Sequence, residues 1–445
     1  MVERGQDAAD LRGRGQRADR RPRGDADGGA HPAPVAEPLE RPDRHLLEAE
    51  HVRSVGGREP DHRLEERRSL RRLRVAVEEV PGPDEQGRKS RLAAVQIVLA
   101  DPPAFTPQYD HELAAALGRS GADVRLLTSR FRFGETPAPE NYERDERLYP
   151  LSSRLFGRSR MRLPLRALEH VGVLFELGRV RAGILHFQWL AWPQLDRRLR
   201  FHVPAVFTAH DLLPRRTAQR TRLWRELLAR YERVVVHSER GRETLAGLGV
   251  EAERLRVIPH PVFPSDPPRA DDGRTLLCFG VIRPYKGLDD AIEALRRLDG
   301  TRLLVAGDPL EPVEPYRERA RGLDVDWRLG YLPQREADRA LGEATLALFP
   351  YRPELDQSGA LLRALGAGVP AVAYDVGGIA EPVRRFGAGR VVPAGDVEAL
   401  AAAARELLDD PTALEAARAG ARRAREELTW DRAAAAHLEL YRELA

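Results

Sequence analysis

Cysteine is almost missing from this 445-residue chain; Cys278 is the only one. That excludes an internal disulfide framework and a cysteine-based zinc cluster. Its place in the apolar run "TLLCFG" marks a buried thiol rather than a nucleophile. Lysine is equally scarce: of 72 basic side chains only Lys89 and Lys286 are lysines. No apolar run approaches the length of a membrane-spanning helix. The start "MVERGQDAAD" lacks the apolar core of a secretory signal, so a cytoplasmic protein is expected. A net charge of +3 gives no reason to expect nucleic acid as a partner. Residues 1–90 contain no Phe, Tyr, Trp or Ile. Such a segment cannot bury enough apolar surface to offset its ordering entropy. Residues 1–94 are therefore read as a disordered extension. The composition changes so abruptly at Val95 that translation starting there is a competing reading, which the intact mass of the native protein tests.

From Val95 onward, short β-branched runs alternate with amphipathic helical patterns, the mark of parallel sheets with crossover helices. The first half has strands near "VQIVLA", "DVRLLT", "GILHF", "AVFTAH", "RVVVHS" and "LRVIPH". A Pro- and Asp-rich linker, "PVFPSDPPRADDGR", follows. The second half restarts at "TLLCFG" and continues through "RLLVAG", "VDWRLG", "LALFPY", "PAVAY" and "RVVPAG". The expected architecture is α/β, with two Rossmann-like doubly wound domains facing a cleft. The divisions are 95–262, 263–428 and a final helix, 429–445, packing back toward the first domain. Ligands in such sheets bind at the carboxyl ends of the strands. The first half has no G-x-G-x-x-G, which argues against a dinucleotide.

Two segments of the second half concentrate polar chemistry at strand ends. In "FGVIRPYKGLDDAIEAL", Arg283 and Lys286 follow Gly280 and precede a helix opening near Gly287. Cations beside a helix N-terminus suit a diphosphate, and lysine is a slim point charge where arginine is a broad fork. In residues 349–383, a loop with Glu354, Asp356, Gln357 and Ser358 opens a helix at Gly359, Ala360 and Leu361. Carboxylate and amide groups there suit sugar hydroxyls, and the helix amides suit phosphate oxygens. Gly377 and Gly378 allow the next loop a close approach to a ligand. In the first half His210 and Asp211 end a strand, a polar pair with little reason to be buried. His186, inside an apolar strand, reads as structural; His237 and His260 read as packing near turns.

Together these segments resemble the family-4 retaining glycosyltransferases of the GT-B fold, over about residues 95–445. The segments that carry the likeness are "FGVIRPYKGLDDAIEAL", "VVVHSERGRETLAGLGVEAERLRVIPH" and "GAGVPAVAYDVGGIAEPV". The resemblance implies transfer of a sugar from a nucleotide diphosphosugar co-substrate, with no further cofactor and no metal. It implies that Arg283 and Lys286 bind the donor diphosphate and that His210 is the family's strand-end histidine; Asp211, paired with it by position, completes the expected catalytic set. It makes Gly280, Glu354, Asp356 and the run Gln357 to Leu361 donor-binding, and Glu381 a helix-start acid. Gln188 and Tyr109 fall on the acceptor side, and the acceptor is a glycan or a lipid-linked molecule in exopolysaccharide or glycolipid synthesis. Three departures stand out. Leu355 and Arg363 occupy positions where the family carries glutamates, the second of them a ribose ligand. The first strand leads into "PPAFTPQYDHEL" instead of a glycine pair, and Gln188 cannot act as a base. A degenerate GT-B protein that binds nucleotide or glycan without turnover is the alternative. An epimerase would need more acid/base groups in the cleft, and a phosphorylase a cofactor lysine and long insertions. The stretch 152–168, with Arg154, Arg158, Arg160, Arg162 and Arg166 among leucines, reads either as a peripheral membrane contact or as a solvated surface.

Overall fold

The computed structural model describes residues 96–155, 162–181, 183–213, 217–352 and 357–445. The N-terminal extension, with Lys89, lies outside them. Seven strands form the first sheet: β1 (Gln96–Asp101), β2 (Asp123–Ser129), β3 (Glu143–Leu148), β4 (Ile184–Phe187), β5 (Ala205–Thr208), β6 (Arg233–Val236) and β7 (Leu255–Val257). Their order is β3-β2-β1-β4-β5-β6-β7, and all pairings are parallel. The second sheet holds β8 (Thr275–Phe279), β9 (Arg302–Gly307), β10 (Val325–Leu329), β11 (Leu346–Phe349), β12 (Ala371–Tyr374) and β13 (Gly389–Val392). Its order is β10-β9-β8-β11-β12-β13, again all parallel.

Helices cover both faces of each sheet. Around the first are α1 (Pro107–Arg119), α2 (Arg162–Gly178), α3 (Pro193–Asp196), α4 (Thr221–Leu228) and α5 (Glu239–Gly247). Around the second are α6 (Leu288–Leu295), α7 (Glu314–Arg319), α8 (Gln334–Glu343), α9 (Gly359–Gly366), α10 (Ala380–Phe386), α11 (Val397–Asp409) and α12 (Pro411–Glu427). Successive strand residues serve opposite cores: Ile97 and Leu99 pack with α1, and Val98 and Ala100 pack on the other face. The last helix, α13 (Trp430–Leu444), leaves the second domain and lies against α1. Its Trp430 and Tyr441 are buried among first-domain residues, and Asp431 pairs with Arg119 at 2.7 Å.

One strand escapes a reading of hydrophobic periodicity. β3, "ERDERL", is almost wholly charged, yet it pairs with β2 at the sheet edge. Its Asp145 is bound by Arg125 of β2 and by Arg147. Edge strands are often charged, because charge discourages pairing with other chains. Each sheet reverses its strand order once, between β1 and β4 in the first and between β8 and β11 in the second. The crevice for a ligand lies at the carboxyl ends of those four strands.

Candidate active site

At the end of β8, Gly280 adopts φ 97°, and the chain passes Arg283 into a 3-10 turn at Pro284–Lys286. Gly287 follows with φ 67°, where a Cβ would meet the Pro350 carbonyl oxygen at 1.9 Å. Only glycine lets this turn press against the end of β11. The Lys286 ammonium donates to the Tyr351 hydroxyl and stands 4.2 Å from that ring's centroid. Ser358 Oγ also donates to the Tyr351 hydroxyl, at 3.2 Å, and caps α9 by accepting the Leu361 N–H. A single phenol thus ties the cationic turn to the start of α9.

Lys286 enters a narrow hollow lined by Cys278, Gly280, Ile282, Leu288 and Tyr351. A Cβ at Gly280 would lie 4.0 Å from Lys286 Nζ and 3.5 Å from Ala360 Cβ. A slim ammonium stem suits this setting better than a broad guanidinium fork, which agrees with a lysine here in a chain that otherwise uses arginine almost throughout. Burial pushes the Cys278 thiol up to about 12, against the pull of the Lys286 charge, so it is an inert neighbour. Arg283 is exposed at the mouth of the same turn. The turn and the amides that open α9 therefore adjoin one another at the reversal point of the second sheet. Gln357 through Leu361 are described there; Glu354, Leu355 and Asp356 lie outside the described residues. Tyr351 carries no motif signal beyond ending a strand, so only the fold discloses its linking position.

On the first-domain side, His210, His237 and His260 end β5, β6 and β7 and cluster around Tyr109. Trp430 closes the cluster from α13. Burial depresses all three histidines: His237 to about 4, His260 to about 3, and His210 well below its usual value. Their proton positions follow from a chain of contacts. The Ile258 carbonyl can only accept, so His237 Nδ1 carries the proton in the 2.9 Å bond to it. Neutral His237 then offers Nε2 as an acceptor to His210 Nδ1, 3.3 Å away. His210 Nε2 is left an acceptor, and the Gln188 amide 3.0 Å away must turn its N–H side toward it. That turn satisfies a Gln188 Nε2 otherwise buried without a partner.

The expectation that His210 escapes burial is corrected: it is 9% exposed, because both ring nitrogens have protein partners. Gln188 and Tyr109, at 0% and 2% exposed, lie under the site's floor. Asp211 is half-buried beside His210. His186 bonds Tyr441 of α13 and Thr208, a structural joint. Arg363 departs furthest from expectation. Its guanidinium donates to Gln108 of α1 and to Gln334 of α8, and it lies over the Phe263 ring. Burial lowers its pKa. The residue bridges the two domains at the site's edge.

A second bridge is equally unreadable from sequence. Glu381 opens α10, but its carboxylate accepts the N–H groups of Glu239 and Arg240, at 3.1 and 2.9 Å, at the start of α5. Arg240 pairs in turn with Asp375, itself held by Arg384. Beside them, a Cβ at Gly378 would lie 2.4 Å from Ser238 Cβ and 2.6 Å from Gln357 Nε2. The second glycine of the pair is thus required by a close approach of the two domains. No cluster of three His, Cys, Asp or Glu able to hold a metal occurs among the described residues.

Residues 108–266 match the family described as Glycosyltransferase Family 4, and residues 273–410 match that described as Glycosyl transferases group 1. The chain belongs to the family-4 glycosyltransferases. This glycosyltransferase is 27% identical to the D-inositol 3-phosphate glycosyltransferase of Rhodococcus erythropolis, over 76% of the chain and 86% of the relative. It is 34% identical to the exopolysaccharide phosphotransferase of Streptomyces coelicolor, but that match spans 41% of the chain and only 20% of the relative. For the glycogen synthase of Mycobacterium tuberculosis the figures are 34% identity, 37% and 42%. The GT-B fold is shared with the sucrose-phosphate synthase of Thermosynechococcus elongatus, at TM-score 0.61 and 20% identity, covering 79% of this chain and 99% of that one. An Anabaena protein, HepE, solved with UDP and glucose, matches at TM-score 0.57 and 15% identity, covering 79% and 100%.

Proposed function

We propose that this glycosyltransferase takes a sugar from a nucleotide diphosphosugar and passes it to a glycan or lipid-linked acceptor with retained configuration. The observation that carries the donor assignment is that Gly280 and Lys286 adjoin the opening of α9, through Ala360 and the Tyr351–Ser358 link, with Arg283 on the same turn. In this reading the diphosphate lies across that junction, where two cations and a helix terminus offset its charge as the sugar departs. No metal is required for that neutralisation. The UDP and glucose in the Anabaena structure support a nucleotide-sugar donor. The departing phosphate takes the acceptor proton, so the protein supplies position and charge more than a base. Asp211 stands on the opposing side, and His210 lies beneath it as a neutral ring whose two nitrogens are held by His237 and Gln188. The test is release or transfer of sugar from a panel of nucleotide diphosphosugars. Binding of nucleotide with no sugar released from any donor would favour the non-catalytic reading.

The acceptor side extends this proposal to a membrane. Helix α2 buries His170, Val173 and Leu177, while Leu168, Val171 and Phe175 on its other side are exposed. Arg154 and Arg179 lie at the two ends of this surface, Arg179 over the Phe175 ring. We place this stripe on an anionic bilayer, where apolar side chains enter the interface and arginines meet headgroups. Arg166 is held over the buried Tyr149 ring, 3.9 Å from its centroid, and is not part of this surface; Arg158, Arg160 and the Arg162 side chain lie outside the described residues. Among the described residues no helix is long and apolar enough to cross a membrane. Flotation with phosphatidylglycerol vesicles at low salt is expected to carry the protein, and Phe175→Asp to prevent it. Absence of flotation by the wild-type chain removes the membrane contact.

A further inference from the structure

Two aromatic rings stand at the reversal point of the first sheet with no part in the chemistry above. Phe105 follows β1 and is 61% exposed; Trp189 follows β4 and is partly exposed. The rings meet edge to face, with centroids 5.4 Å apart and planes at 82°. Trp189 in turn stacks on His210, at 5.3 Å and 14°. These three groups form a continuous ledge from the floor histidine out to solvent. Three residues further along, Gln108 meets Arg363 of the second domain, so the ledge borders the domain junction.

A solvent-exposed phenylalanine is unremarkable on a loose loop. This turn is fastened at several points. The Asp101 carboxylate accepts the Thr106 N–H at 3.1 Å, and the Asp101 carbonyl accepts the Ala104 N–H at 3.0 Å. Thr106 Oγ1 accepts the Trp189 indole N–H at 2.8 Å, locking the two rings to one another. Ala104 sits at φ 55°, a left-handed conformation that costs a non-glycine residue about 1 kcal/mol. Beneath the turn, the carboxyls of Asp101 and Asp110 are buried side by side, and burial raises the pKa of both. Strain and a buried acid pair are tolerated here to hold one backbone shape, and that shape displays Phe105.

We propose that Phe105 and Trp189 form an acceptor subsite for a neutral pyranose ring, resting on the reading that the acceptor enters from the first domain. A pyranose has an apolar face of C–H groups and a rim of hydroxyls. Flat aromatic walls bury that face while leaving the hydroxyls to polar groups at the rim. The turn from Asp101 to Asp110 contains no lysine or arginine to meet a phosphate, and its two acids lie beneath it rather than on the ledge. Its chemistry therefore favours an uncharged sugar over a phosphorylated polyol at this position.

The test compares the full chain with Phe105→Ala and Phe105→Trp, using methyl glucoside, methyl galactoside and methyl mannoside as acceptors. Phe105→Ala is expected to raise the acceptor KM relative to the donor KM by about tenfold, and Phe105→Trp to recover most of it. A parallel rise of both constants, or no change in either, overturns the subsite. So does tighter use of D-inositol 3-phosphate than of every methyl glycoside. If the wild-type chain cleaves no donor, the transferase reading fails on its own. Saturation transfer from the protein to the methyl glycosides, lost in Phe105→Ala, still judges the ledge, and its absence in the wild-type chain overturns it.

Discussion

Lys286 shows how much one side chain's shape matters when charge is not the distinguishing property. The hollow between Gly280 and Tyr351 admits an ammonium on a slim stem, and the Tyr351 hydroxyl holds it beside Ser358. Lys286→Ala is expected to lower the rate of donor cleavage by roughly 10²–10³, the usual cost of losing one preorganised electrostatic contact. Lys286→Arg keeps the charge but displaces Tyr351, so it is expected to recover only part of that rate. Donor hydrolysis under saturating donor measures both. Full activity of the arginine variant would mean that the hollow imposes no selection. The scarcity of lysine is visible in the sequence alone, but the setting of Lys286 beside Gly280 and Tyr351 is disclosed only by the fold.

At the scale of elements, the two domains are held by helix ends. Glu381 on α10 caps α5 of the other domain, using both carboxylate oxygens on backbone N–H groups at its positive terminus. Glu381→Gln removes the charge and one strong acceptor, a loss of about 1 kcal/mol by comparison with other helix caps. The expected outcome is a fall in Tm of about 1–2 °C. Combining it with Arg240→Ala should give less than the sum of the two single effects, because both act on the same junction. Additive losses would place the two contacts in independent roles. A helix-start acid was readable from "GGIAEPV"; that it serves another helix was not, since the two segments lie 142 residues apart.

For the molecule as a whole, buried histidines set the response to acid. His237, His260 and His437 have pKa values of about 4, 3 and 4 in the folded chain, all lowered chiefly by burial. The unfolded chain binds these protons near the usual histidine value of about 6.5. Between those limits the unfolded state carries more protons, so stability rises with pH and falls as the solution is acidified. Their contribution is fully present above about pH 6.5 and decreases by roughly 1 kcal/mol per pH unit per histidine below it. Urea midpoints from pH 7 to pH 5 should decline accordingly, and His437→Phe should flatten the slope. A midpoint independent of pH over that range would mean these groups are not held neutral.

Fold class was legible before any coordinates, because the periods of the two element types and the restart at "TLLCFG" are local properties of the chain. The glycine-flanked turn that carries Lys286 was legible too, since a lone lysine and glycines at strand ends are local signals as well. β3 was not, because an edge strand does not need an apolar face. Nor were the linking role of Tyr351, the bridge through Arg363, or the burial of His210, Gln188 and Tyr109. Each depends on which strand ends are brought together where the strand order reverses. Local periodicity, set by the backbone repeat, determined the two sheets; packing across distant segments decided which side chains meet at the site and which ones sink beneath it.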